Sequence, residues 1–204
     1  MVRRCIQSSG LAAEALAVLL LAAFLITPAA AAPGRSPNVT SHDPDAVTAN
    51  FLIKFLSYTN WPEVVQPSTP SAPYVIGVSC SGPLLDALIK ATDVKLASVG
   101  GHPVRAIRIK NAADFDSCHL AFLNCNEDCG AQNISIPLAL NALKNRPVLT
   151  VSAEPGFLDA GGQVQLFRTG PKLNFSVSAE AARQAGLNLK ADLQNLSKPV
   201  PPRR

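Results

Sequence analysis

Short runs that are apolar at successive positions, separated by stretches with a helical period, constrain this chain more than any other feature. Residues 74–79 (YVIGVS), 120–123 (LAFL) and 148–151 (VLTV) have no polar side to turn toward water. Side chains alternate between the two faces of a strand, so such runs are buried on both faces and need cover above and below. A further strand carries Val104, Ile107 and Ile109, and between the strands lie a short helix with Leu84, Leu85 and Leu88 inward, a helical turn at 112–116 and a helix at 137–143. Strand and helix in turn predict an α/β, three-layer domain whose central, largely parallel sheet is flanked by helices. The end of the chain differs. Residues 163–168 and 172–177 flank Thr169-Gly170-Pro171, a turn signal that predicts a C-terminal antiparallel hairpin.

The domain is bounded by helix signals. Asp43 and Pro44 form an N-cap and first-turn pair, and Val47, Phe51, Phe55 and Tyr58 keep a helical period up to Asn60-Trp61-Pro62. The Pro- and Ser-rich stretch 67–73 reads as a loop. At the other end a helix at 179–185 closes on Gly186, and an amphipathic stretch through Leu189, Leu193 and Leu196 runs into a Pro-rich tail. The expected organisation is a signal peptide at 1–31, a loose leader at 32–42, the α/β domain at 43–197 and the tail at 198–204.

The leader segment explains an apolar excess. The chain is 48% hydrophobic and only 16% charged over 204 residues, a balance that suggests a membrane protein. The excess gathers between Ala12 and Ala32. Arg3 and Arg4 precede an apolar core at 15–26, and Ala29-Ala30-Ala31 supplies a small-residue cleavage site, the pattern of an export signal. That core is shorter than the roughly 20 residues that cross a bilayer, and no basic stop-transfer cluster follows it. An exported protein is expected. The whole-chain charge of +4 is mild and scattered, without the basic and aromatic stripe of a nucleic-acid binder.

Export places the remaining cysteines, Cys80, Cys118, Cys125 and Cys129, in an oxidising compartment, where an even number favours two disulfides. Four cysteines allow three pairings. Only three residues separate Cys125 from Cys129, and Cys80 and Cys118 each stand at the end of a strand, so the expected pairs are Cys80 with Cys118 and Cys125 with Cys129. The spacing is not that of a redox or zinc site, and His119 beside Cys118 reads as packing.

No catalytic motif is present: no Gly-x-Ser-x-Gly elbow, no His-Glu-x-x-His and no phosphate-cradling glycine loop. His42 lies in the leader, His102 precedes a proline in a turn, and none of the three histidines has a carboxylate partner nearby in sequence. The reading is non-enzymatic, with no catalytic residue, metal or cofactor. Two places are candidates for partner contact. Trp61, the single tryptophan, either packs on the domain or meets a partner. Pro155-Gly156-Phe157 follows the carboxyl end of a parallel strand, where α/β folds gather contacts, and is either that or a turn with Phe157 buried.

Several stretches together resemble the YfiR-like periplasmic family over about residues 47–196. These are Ala49-Asn50-Phe51-Leu52-Ile53-Lys54-Phe55 followed by Trp61-Pro62; Gly101-His102-Pro103-Val104-Arg105 with Cys118-His119-Leu120-Ala121-Phe122-Leu123; and Arg146-Pro147-Val148-Leu149-Thr150-Val151-Ser152, Pro155-Gly156-Phe157, Gly161-Gly162, Asn174-Phe175 and Ala181-Ala182-Arg183-Gln184-Ala185-Gly186-Leu187. The resemblance implies an exported α/β regulator that restrains the periplasmic sensor domain of an inner-membrane diguanylate cyclase, lowering cyclic-di-GMP and biofilm formation. It implies as partners that cyclase, an outer-membrane lipoprotein that relieves the inhibition, and a second copy of the chain. A periplasmic small-ligand sensor module is the alternative. Cys80 and Cys118 fall where such proteins commonly place a disulfide, whereas 152–164 lacks the second cysteine pair of some relatives, so their redox sensitivity does not carry over.

Overall fold

The computed structural model describes residues 43–93, 97–124 and 134–201. Helix α1 (Pro44–Ser57) begins as its sequence requires: Asp43 accepts from the Asp45 backbone N–H at 3.0 Å and Pro44 occupies the first turn. A short strand β1 (Thr59–Asn60) and a 3₁₀ turn (Glu63–Val65) lead to β2 (Tyr74–Val78), then α2 (Pro83–Asp93), β3 (Ser98–Val99) and β4 (His102–Arg108). His102, expected in a turn, opens β4 and pairs with Val99. A capped 3₁₀ turn (Ala112–Ser117) precedes β5 (Leu120–Phe122), followed by α3 (Ile136–Ala142) and β6 (Leu149–Ser152). The chain ends in β7 (Val164–Thr169), β8 (Lys172–Val177), α4 (Ala179–Gln184), β9 (Asn188–Leu189) and α5 (Ala191–Leu196). Leu189 therefore belongs to a strand, paired with Thr59 of β1, while Leu193 and Leu196 lie on α5.

The main sheet has the order β3-β4-β2-β5-β6-β7-β8. From β4 to β7 all neighbours are parallel; β3 and β8 add antiparallel edges. The expected hairpin forms with Thr169 opposite Lys172, and Gly170 at φ +57° makes the reversal possible. Beyond that expectation, β7 continues the parallel sheet beside β6.

Both faces of the central strands are covered, as their apolar runs demand. Ile76, Val78, Leu120 and Phe122 pack with Leu52, Phe55 and Leu56 of α1 and Leu88 of α2. Val75, Ala121 and Leu123 face the other way, against Phe115, Ala139 and Leu143. Two glycines stand where backbone must approach a side chain. A Cβ on Gly77 would lie 2.6 Å from Cys118 Sγ, and one on Gly162 would lie 2.2 Å from Phe157 Cε1.

Two side-chain and tail contacts complete the sheet. Ahead of the β6–β7 ladder, Thr150 N–H donates to Gln163 Oε1 at 3.1 Å and Gln163 N–H donates to Thr150 Oγ1 at 3.2 Å. On the outer side of β8, Val177 N–H donates to Ser197 Oγ at 3.1 Å and Lys198 N–H donates to the Phe175 carbonyl at 2.9 Å.

Candidate functional site

Parallel strands share one carboxyl edge, and the chain's path sets where that edge opens. From β2 the chain steps outward to β4, then returns to place β5 on the other side of β2. The connections after β2 and β5 therefore diverge, leaving a crevice at the switch point where α/β sheets bind ligands and partners. A cleft of about 440 Å³ lies there, lined by Cys80, Ser81 and Gly82 after β2, the start of α2, and Phe122 and Asn124 at the end of β5. Its charged lining side chains are one of each sign, Asp45 of α1 and Arg168 of β7, and Thr48 and Ser81 add hydroxyls. A second cleft on the same edge, about 470 Å³, is lined by Pro155, Gly156, Leu158, Gln165 and Phe167 together with Val200 of the tail.

The opposite, amino edge is closed by aromatic rings. Trp61 is 7% exposed and its Nε1–H donates to the Leu56 carbonyl at 3.1 Å. Its ring meets His119 edge-on at 5.7 Å between centroids, and Tyr74 lies 4.8 Å from the same imidazole. His119 Nδ1 accepts from the Val75 N–H at 3.1 Å while Nε2 lies 2.7 Å from the Val65 carbonyl. A carbonyl only accepts, so Nε2 carries the proton and the ring is neutral, bridging the start of the sheet to the 61–73 loop. Burial pushes its pKa below the ordinary histidine value, with the Val65 hydrogen bond opposing. Tyr74 is pushed up by the same burial. His102 Nδ1 lies 3.1 Å from the Thr69 carbonyl, a second imidazole holding that loop.

The residues singled out in the sequence are thus dispersed. Trp61 lies inside the amino edge, and Phe157 is a core residue at 1% exposure, its ring over Gly162. Pro155 alone of the three is exposed, at the opposite edge. The expected Cys80–Cys118 bridge is corrected. Cys118 carries a free, buried thiol that donates to the Asp114 carbonyl at 3.3 Å, and burial raises its pKa to about 11. Cys80 is disulfide-bonded, but not to Cys118. The reason is polarity: Ile76 is level with Leu120, so Cys118 stands beside Tyr74, at the amino end of β2, and Cys80 beyond its carboxyl end. Six residues along a strand is about 20 Å, against the roughly 7 Å between Cα atoms that a disulfide tolerates. Cys125 and Cys129, with the bridge expected between them, lie outside the described residues.

Sequence reasoning missed the switch-point cleft because Asp45, Ser81, Asn124 and Arg168 share no spacing; only the strand order brings them together. Among the described residues no group of three or more His, Cys, Asp or Glu is placed to hold a metal ion, and no helix is long and apolar enough to cross a membrane.

No curated protein matches the chain. A solved structure, a conserved domain protein from Vibrio cholerae O1 biovar eltor, aligns at 12% identity with a TM-score of 0.41, covering 76% of this chain and 59% of that one. The chain thus spans less than two thirds of that protein's length. The sequence profile of the YfiR/HmsC-like family matches residues 45–198, from the first turn of α1 to the residue that fastens the tail to β8. On that match, which takes in α1 and every strand of the sheet, the chain belongs to the YfiR/HmsC-like family.

Proposed function

We propose that this protein is a periplasmic regulator that binds the sensor domain of an inner-membrane diguanylate cyclase and holds the enzyme down, lowering cyclic-di-GMP and restraining biofilm formation. The observation that carries the reading is the family match over residues 45–198, since members of that family are periplasmic regulators rather than enzymes. The export pattern of residues 1–31 supports the location. Regulation in this reading is binding alone, exerted through a surface, with a homodimer as the binding unit and an outer-membrane lipoprotein as the relieving partner.

The test is capture. The chain without residues 1–31 should retain the periplasmic domain of a cyclase encoded beside it, and a deletion strain should contain more cyclic-di-GMP than its parent. Absence of capture together with unchanged cyclic-di-GMP would sink the reading. A second reading, a small-ligand sensor module, is favoured by one observation, the cleft at the switch point between β2 and β5. A melting-temperature shift on screening periplasmic metabolites, lost in Arg168→Ala, is what that reading expects.

A further inference from the structure

We propose that the cleft between α3, α4 and the start of β7 binds a small monocarboxylate with an apolar body. The observation that points there is Gln163. Its side chain is in a residue only 5% exposed, and its Oε1 is committed to the Thr150 N–H, which turns the amide nitrogen away from the strand. That Nε2 has no acceptor within hydrogen-bonding distance among the described residues, yet it is not sealed from solvent. An amide donor that opens from an otherwise buried residue takes its acceptor from water or from a molecule bound in its place.

The surroundings define what that acceptor is. Gln163 and Thr150 form the floor of a cleft of about 400 Å³. Thr150 Oγ1 accepts from the Gln163 N–H, so its hydroxyl hydrogen is available as a further donor. Leu140 of α3 with Leu143 just after it, and Ala181 of α4 with Ala185 just after it, make apolar walls, and Lys144 stands at the exposed rim without an ion pair among the described residues. The lining includes no aspartate or glutamate. Neutral donors below, a cation at the mouth and no acid in the lining fit a carboxylate group on an apolar body; Glu180, bonded to the lining residue Gln184, is paired with Arg183. A zwitterionic amino acid fits less well, because its ammonium group finds no counter-charge. The assignment is independent of the cyclase reading, which stands or falls on capture.

The experiment compares three ligands with one hydrocarbon body: 4-methylpentanoate, 4-methylpentan-1-ol and leucine. With the purified chain, the carboxylate should raise the melting temperature by about 3 °C once it exceeds its Kd tenfold, with the alcohol and leucine leaving it unchanged. Lys144→Met, at the exposed rim, should weaken the carboxylate by about tenfold in titration calorimetry. Gln163→Glu keeps an oxygen for Thr150 and replaces both donors by an acceptor, and should abolish binding. If that variant fails to fold, Lys144→Met still decides. An equal shift from the alcohol or leucine, no shift from any of the three, or an undiminished affinity in Lys144→Met overturns the proposal.

Discussion

At the scale of single residues, His119 and Cys118 sit side by side in sequence and behave as chemical opposites of what their types suggest. His119 is a linker held neutral by burial, with both nitrogens committed. Its folded-state pKa lies below that of the unfolded chain, so its contribution to stability is complete above about pH 6.5 and is lost as pH falls, because the unfolded chain takes up the proton first. The melting temperature should therefore drop between pH 7 and pH 5, with a shallower drop in His119→Gln, whose stability at pH 7 is lower by about 1–3 kcal/mol. Cys118, with its thiol raised to about 11, should resist iodoacetamide in the native protein and react only on unfolding. Its removal also separates two accounts of the cysteines. Cys80→Ser should cost about 2–4 kcal/mol through loss of its bridge, whereas Cys118→Ala should leave that bridge intact in a non-reduced peptide map.

At the scale of elements, the sequence was most informative where one residue type has one structural meaning. Asp43 with Pro44 opens α1, Gly170 turns the β7–β8 hairpin, and Gly186 at φ +77° ends α4, each as its chemistry requires. The two-residue strands β1, β3 and β9 carry no period long enough to detect, and they form because tertiary contacts bring their partners alongside. The cysteine pairing failed for a related reason: strand ends are visible in sequence, but which edge of the sheet an end occupies depends on strand direction. The same holds for the clefts, whose lining residues meet only through strand order. Gly162 shows a requirement hidden at both levels, since its φ is ordinary and its need is space. Gly162→Ala and Gly77→Ala should each lose about 1–3 kcal/mol in urea unfolding by overpacking against Phe157 and Cys118. If Gly162→Ala matches the parent protein, the packing of Phe157 described above is wrong.

At the scale of the whole molecule, the sheet has direction, and that direction divides the protein into two ends. The amino edge is sealed by Trp61, Tyr74 and His119, and the carboxyl edge carries two open clefts. A regulator that acts by contact should therefore be more sensitive at the second end. On the proposed cyclase reading, substitutions at Pro155 and Arg168 should weaken capture of the cyclase domain without lowering the melting temperature, while changes at Trp61 should act through stability alone. The tail has a further consequence. An outer strand exposes a row of unspent amides and carbonyls, the template on which chains join edge to edge into insoluble aggregates. Ser197 and Lys198 occupy part of that row on β8. The closing residues of the domain thus act as a guard on solubility, and a chain truncated after Leu196 should fold with the same core yet grow in size with concentration under light scattering.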